Sequence, residues 1–152
     1  MQISAKADYA VRALIELAAA GDGPVKGEWM AVAQQLPPKF LESILAQLCH
    51  HGLLHSRRGA EGGYWLGRPA EQITLAQIIR ATDGPLASVR GQPPEDTVYE
   101  RPAQALTEVW IAVRASLRVV LEAVTIADLV RGQLPEAVAR LADDPDARRS
   151  HI

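Results

Sequence analysis

The feature that most limits how this chain can fold is a change of rhythm along its first half. Three segments repeat their apolar residues at helical spacing, and a pair of short alternating segments hinged on glycine follows them. In the first segment Tyr9, Val11, Leu14, Ile15, Leu17 and Ala18 recur behind Ser4, whose side chain suits a helix N-cap. Gly21-Asp22-Gly23-Pro24 then makes a turn. A shorter helix over residues 28–35 has Trp29, Met30 and Val32 as its apolar members. Pro37-Pro38 stops that helix and starts a third, because proline restricts the residue before it and fits a first helical turn. In the third helix Leu41, Ile44, Leu45 and Leu48 form a stripe that should be buried, and Gly52 ends it. Residues 53–57 and 64–66 read as strands joined by the glycine-rich tip Arg58-Gly59-Ala60-Glu61-Gly62-Gly63. Three helices and then a hairpin is the order of a winged helix-turn-helix. The expected class is mainly α, with a two-stranded wing.

Downstream, Thr74-Leu75-Ala76-Gln77 is a capping box that opens a fourth helix, closed by Asp83-Gly84-Pro85. Glycine and four prolines make residues 84–102 a loop or linker. Leu106, Val109, Trp110, Val113, Leu117, Val120, Leu121 and Val124 then recur at helical and nearly heptad spacing. A long helix this apolar, beyond a domain with its own core, needs a partner surface, and a second copy of the chain is the simplest one. Thr125-Ile126-Ala127-Asp128 is a further capping box, opening a short helix that Gly132 ends. The expected division is a DNA-binding domain over 1–83, a linker over 84–102, and a dimerisation helix with a short following helix over 103–134. A short helix and a mobile polar tail would fill 135–152.

With 152 residues the chain can bury a core without disulfides or structural metal. Its one cysteine, Cys49, excludes an intrachain disulfide and a multi-thiolate metal or iron–sulfur site. The net charge of −2 argues against a nucleic-acid partner until the chain is divided. Residues 1–70 hold seven Lys/Arg against six Asp/Glu, whereas residues 71–152 hold nine against twelve. His50, His51 and His55 add charge to the first half below neutral pH. The opening residues do not read as a secretory leader, and no apolar run reaches membrane-spanning length, so a cytoplasmic protein with no membrane partner is expected.

Opposite the buried stripe, the third helix carries Lys39, Ser43, Gln47 and His50 in one row, groups able to read base edges in a major groove. Its N-terminal end, the part that meets bases in a helix-turn-helix, holds Lys39, Phe40, Glu42 and Ser43. Such a row is equally what a solvated helix face looks like. The hairpin tips the reading toward duplex DNA, since Arg57, Arg58 and Gly59, with Gly62 and Gly63, place cations where backbone can come close to phosphate. Cys49 reads as a small hydrophobe, and a redox role would require exposure and a low pKa. His51 and His55 are four apart, but Gly52 breaks the helix between them, so no metal pair forms. Trp29 and Trp110 fall on apolar stripes and are expected in the core or a dimer contact, while Tyr64 and Trp65 alternate across the hairpin. No nucleophile–base pair or carboxylate cluster stands at catalytic spacing, so an enzyme is not expected.

Several runs together carry a resemblance. They are Leu36-Pro-Pro-Lys-Phe-Leu-Glu-Ser-Ile-Leu-Ala-Gln-Leu48, Gly52-Leu-Leu54 and Ser56-Arg-Arg-Gly-Ala-Glu-Gly-Gly-Tyr64. The opening Ser4-Ala-Lys-Ala-Asp-Tyr-Ala-Val11, and Ile73-Thr-Leu75, Asp83-Gly-Pro-Leu86 and Thr125-Ile-Ala-Asp-Leu-Val130, join them. Over about residues 1–131 the chain resembles the Rrf-type transcription regulators of the IscR, NsrR and CymR type. The resemblance implies a homodimeric repressor on a pseudo-palindromic operator. The helix starting Pro-Pro-Lys-Phe would enter the major groove, and the wing would lie on the minor groove and backbone. It lands on Lys39, Phe40, Glu42, Ser43, Arg58 and Gly59. The departures bear on sensing. Cluster-binding members carry three cysteines after Asp-Gly-Pro-Leu, and here residues 89–102 hold none. Asp8, where some members supply a non-thiolate ligand, then reads as a surface or capping residue, and Gln104, near where another member supplies a ligand histidine, is not expected to replace it. No metal or cofactor is expected. A small-molecule effector, oxidation at Cys49, or the same fold used as a protein–protein module stay open. Gln35 stands where relatives often place glycine, so the turn before the third helix should be adjusted.

Overall fold

The computed structural model describes residues 2–149. Helix α1 (Ala5–Ala20) starts at Ser4, whose hydroxyl oxygen accepts the Ala7 N–H at 2.9 Å. The same hydroxyl donates to the Asp83 carboxylate at 2.6–2.8 Å, and Lys6 Nζ donates to the Thr82 carbonyl at 2.7 Å. Both bonds tie the start of α1 to the end of α4 (Leu75–Asp83), where free carbonyls favour a cation. Between them run α2 (Gly27–Gln34) and α3 (Pro38–His50). The hairpin strands β1 (Leu54–Arg57) and β2 (Gly63–Leu66) follow.

α1 lies across α3 and α4, and its side chains Ala10, Ala13, Leu14 and Leu17 close over Ile44, Leu45 and Leu48 of α3 and Ile78 of α4. Met30 of α2, Leu53, Leu54 and Ile73 complete this core. Burying each such large aliphatic side chain stabilises the fold by about 1.5–3 kcal/mol.

The hairpin is antiparallel, in register Leu54↔Leu66, His55↔Trp65, Ser56↔Tyr64 and Arg57↔Gly63. Val25 adds a one-residue bridge on its outer side, exchanging two 2.8 Å hydrogen bonds with Tyr64. The wing is thereby fixed to the entry of α2. Both capping boxes form as the sequence predicts, Thr74 with Gln77 opening α4 and Thr125 with Asp128 opening α6 (Ile126–Arg131).

Residues 84–102 pack against α5 (Leu106–Leu121) through hydrogen bonds of their own. Val89 and Gln92 close a tight turn with bonds of 2.9 and 3.0 Å, and a 3-10 turn follows at Pro94–Asp96. Thr107 Oγ1 donates to the Thr97 carbonyl at 2.9 Å, and Trp110 Nε1 donates to the Tyr99 hydroxyl at 3.0 Å.

Two sequence expectations need correction here. The long helix ends at Leu121, and Val124 lies beyond it at 2 % exposure, so Val124 offers nothing to a partner. The short helix assigned together with the dimerisation helix belongs to the first core instead. Thr74 and Thr125 form a bridge, Ile126 N–H donates to the Ile73 carbonyl at 2.9 Å, and α6 packs on α1. α7 (Glu136–Asp143) and a 3-10 turn at Pro145–Arg148 complete the described chain. The part of the expected mobile tail at 150–152 lies outside the described residues.

Candidate nucleic-acid interface

α3 turns Leu41, Ile44, Leu45 and Leu48 into the core, and this decides what its outer surface shows. At 3.6 residues per turn, Lys39, Ser43, Ala46 and His50 lie opposite that stripe, and all four are exposed. Gln47 does not belong to this row. It sits about 80° around the helix from Lys39, is half-buried, and has its Oε1 enclosed without a partner. The expected row of Lys39, Ser43, Gln47 and His50 is therefore corrected to one containing Ala46. Seven-residue spacing from Lys39 was the available signal, but alanine offers no polar group to draw notice. Phe40 flanks the row, 41 % exposed, with its ring edge-on to Tyr9 of α1 at 5.7 Å.

The other flank of α3 faces the wing. Glu42, Ala46 and Cys49 from α3 line one open cleft of about 530 Å3 together with Ser56, Arg57, Arg58 and Gly59. Ala46 of the exposed row and the wing tip thus border the same opening, while Lys39 lines an adjoining pocket together with Glu28, Glu42 and Tyr64. Arg58 and Gly59 are exposed at the tip, whereas Arg57 donates to the Glu61 carbonyl at 3.1 Å and braces the loop. Lys26, the residue before α2, donates to the Gly59 carbonyl at 2.7 Å and holds the tip toward the helices. Sequence reasoning passed over Lys26, although a lysine next to a helix entry was visible.

Gly62 and Gly63 are buried, although Gly63 still lines the cleft with its backbone. A Cβ on Gly62 would stand 2.0 Å from the Arg57 carbonyl oxygen, and one on Gly63 would stand 2.6 Å from that of Val25. Their missing side chains let the chain fold on itself at the base of the wing.

Ion pairing divides the molecule. Among the described residues every salt bridge lies within α1 or from α4 onward, including Arg12–Asp8, Arg80–Glu122, Arg114–Glu95 and Arg131–Asp128. Lys26, Lys39, Arg57 and Arg58 take part in none, and neither do Glu28 and Glu42, which line the same cleft. Burial pushes the Tyr64 phenol up, and Cys49, Glu42 and Glu28 nearby add to the effect. Burial likewise raises the Cys49 thiol, against a hydrogen bond with Ser56 that lowers it. That direction reduces the thiolate needed for oxidation chemistry.

The turn before α3 is held from α1. Arg12 Nε donates to Gln34 Oε1 at 3.0 Å, Arg12 Nη2 donates to the Gln34 carbonyl, and Gln34 Nε2 donates to Glu16. Asp8 is exposed and pairs with Arg12 at 3.4 Å, a surface role. Gln35 takes the left-handed conformation, φ 54 and ψ 49, that ends α2 and turns the chain toward Pro37. One tryptophan, Trp29, departs from a place in the core. Trp29 is 51 % exposed and Val32 79 %, so only Met30 and Ala31 of α2 enter the core. Trp110 is half-buried and bound to Tyr99, while Trp65 lies half-buried beside His55 at 6.0 Å.

The family model Rrf2, described as "Iron-dependent Transcriptional regulator", matches residues 3–132. The chain belongs to the Rrf2 family. Members are DNA-binding transcription regulators of winged helix-turn-helix fold, and the family is one of regulators and not of enzymes. An HTH-type transcriptional regulator of Mycobacterium tuberculosis is 52 % identical over 151 residues, covering 99 % of this chain and 94 % of the relative. The regulator CymR of Bacillus subtilis is 37 % identical over 130 residues, covering 85 % of this chain and 89 % of the relative. The solved structure of B. subtilis CymR, described as a global cysteine regulator, superimposes with a TM-score of 0.73 at 35 % identity, covering 88 % and 98 % of the two chains. That of T. potens IscR gives 0.68 at 30 % identity, covering 100 % and 94 %.

The iron named in the Rrf2 description finds no fitting donor set here. The single thiol is in α3, and residues 84–102 instead present the Thr97–Thr107 and Tyr99–Trp110 hydrogen bonds. Among the described residues no group of three His, Cys, Asp or Glu side chains could hold a metal ion. No described helix is long and apolar enough to cross a membrane.

Proposed function

We propose that this Rrf2-family chain acts as a homodimer that binds a pseudo-palindromic operator and represses transcription by occupying promoter DNA. α3 enters the major groove with Lys39, Phe40, Glu42 and Ser43 toward the bases, and Arg58 and Gly59 lie along the backbone. The observation that carries the reading is the shared cleft, where the exposed edge of α3 meets a wing tip whose cations have no ion-pair partner among the described residues. The dimer reading rests on α5, none of whose 16 residues is buried within the chain, although Leu106, Val109, Trp110, Val113, Leu117, Val120 and Leu121 share its apolar side. A two-fold axis between paired α5 helices sets the two recognition helices about 34 Å apart, one turn of DNA.

The test selects bound sequences from a random duplex pool and then measures variants against the winner across salt concentrations. Lys39→Ala should lose about 1–3 kcal/mol on the selected site and broaden the preferred sequence. Arg58→Ala should weaken all duplexes alike and lower the salt slope by about one. Unchanged affinity in both variants refutes the assigned surface.

A further inference from the structure

Away from the DNA-facing cleft, three arginines converge where α4 meets α5. Arg80 comes from α4, and Arg114 and Arg118 come from successive turns of α5. With Pro85 and Leu86 they line a pocket of about 250 Å3. Leu86 is buried, so the pocket has an apolar floor beneath a cationic rim.

Two carboxylates reach this rim. Glu122 stands 2.5 Å from Arg80, and Glu95, from the segment before α5, stands 2.6 Å from Arg114. Arg118 is left over. Its closest carboxylate is the same Glu122, at 3.7 Å, and it makes no hydrogen bond through its guanidinium among the described residues. Arg114 is the least exposed of the three, at 18 % of its side chain. A guanidinium offers five N–H donors in a planar fork suited to carboxylate and phosphate. The group as a whole holds one more positive charge than negative, beside a cavity that none of its side chains fills.

We propose that this pocket binds a small oxyanion, the phosphate, sulfate or carboxylate headgroup of a metabolite, with Arg118 and Arg114 as its principal contacts. The cavity is below the lower end of about 300 Å3 typical for drug-sized ligands, which suits a headgroup with a short apolar stem over Leu86. The position gives binding a consequence. α4 packs on both α1 and α3, while α5 carries the surface assigned to the second copy. An anion held by α5 in a pocket that Arg80 of α4 also lines therefore bears on the angle between the reading helix and the dimer axis, a coupling between two separate places. The site itself does not rest on the operator reading, because anion binding can be measured without DNA.

The experiment titrates the full chain with inorganic phosphate, sulfate and citrate, ionic strength being held constant with sodium chloride. Binding is followed by calorimetry and by the thermal midpoint. At least one oxyanion should give a saturable response with one site per chain. Arg118→Gln should weaken it tenfold or more, Arg114→Gln should weaken it too, and Arg58→Gln on the wing should leave it unchanged. Arg118 is half-exposed, so its replacement does not open the core. Stronger binding of phosphate or sulfate over citrate assigns a tetrahedral headgroup, and the reverse order a carboxylate. Responses to all three anions no larger than those to sodium chloride overturn the proposal and leave the arginines as ties between helices. So does binding lost in Arg58→Gln but kept in Arg118→Gln.

Discussion

Gln35 occupies a backbone conformation that favours glycine, because a Cβ at φ 54 crowds the following carbonyl. Nothing in its side-chain bonding compensates for this, since the bonds that close the turn use its backbone N–H and that of Leu36. Gln35→Gly should raise stability by about 1 kcal/mol, read as a higher urea midpoint with unchanged slope. Gly62→Ala should act in the opposite sense. Its methyl group would press on the Arg57 carbonyl, costing about 1–3 kcal/mol and loosening the wing, so that urea midpoint and duplex affinity fall together. The two positions differ in how legible they were. Gln35 could be marked from the helix boundary and the resemblance. For Gly62 and Gly63 the need for glycine was visible, but not its direction, since a sequence does not tell whether the close neighbour is phosphate or the chain's own backbone.

Among the elements, the capping boxes were the most readable, because a threonine and its partner three residues on suffice to define them. The box opening α6 also makes a pH prediction. The Thr125 backbone N–H and hydroxyl both donate to the Asp128 carboxylate, and Arg131 stands beside it, so its pKa is held below the ordinary aspartate value. The bonding therefore stabilises the fold fully above the unfolded pKa and is lost as pH falls through the lower, folded one. Asp128→Asn should then have a lower urea midpoint than the parent chain near pH 6, and the gap should narrow toward about pH 3. The extent of α5 was less readable. Val124 continues the heptad rhythm beyond Leu121, and periodicity marks a residue for burial without saying whether its own domain or a partner buries it. The same ambiguity left Trp29 open between the core and a dimer contact, when α2 is short enough for Met30 and Ala31 to anchor it.

At the scale of the whole molecule, the winged order was legible because helix and strand periods change sharply at Gly52, and the loop before α5 was not, because its order comes from single hydrogen bonds among Thr97, Tyr99, Thr107 and Trp110. The proposed homodimer makes the largest-scale prediction. Val113 and Leu117 sit mid-way along α5 on its apolar side. Val113→Asp should convert the protein to a monomer in light scattering, keep the circular-dichroism spectrum of the folded chain, and cut affinity for a two-half-site duplex to near that for a single half-site. A Val113→Asp protein that remains dimeric places the interface elsewhere.

If α3 reads bases as proposed, the carboxylate of Glu42, which lines the same cleft as Arg58 and has no ion-pair partner among the described residues, has a consequence for search along a chromosome. In that arrangement backbone phosphates would repel it wherever the protein rests on ordinary sequence, and only an amino group on a base edge, such as that of cytosine, would reward its presence. Such a residue shortens every unproductive stop while sparing the correct one. The gain is in discrimination against the vast excess of wrong addresses, at some expense in grip.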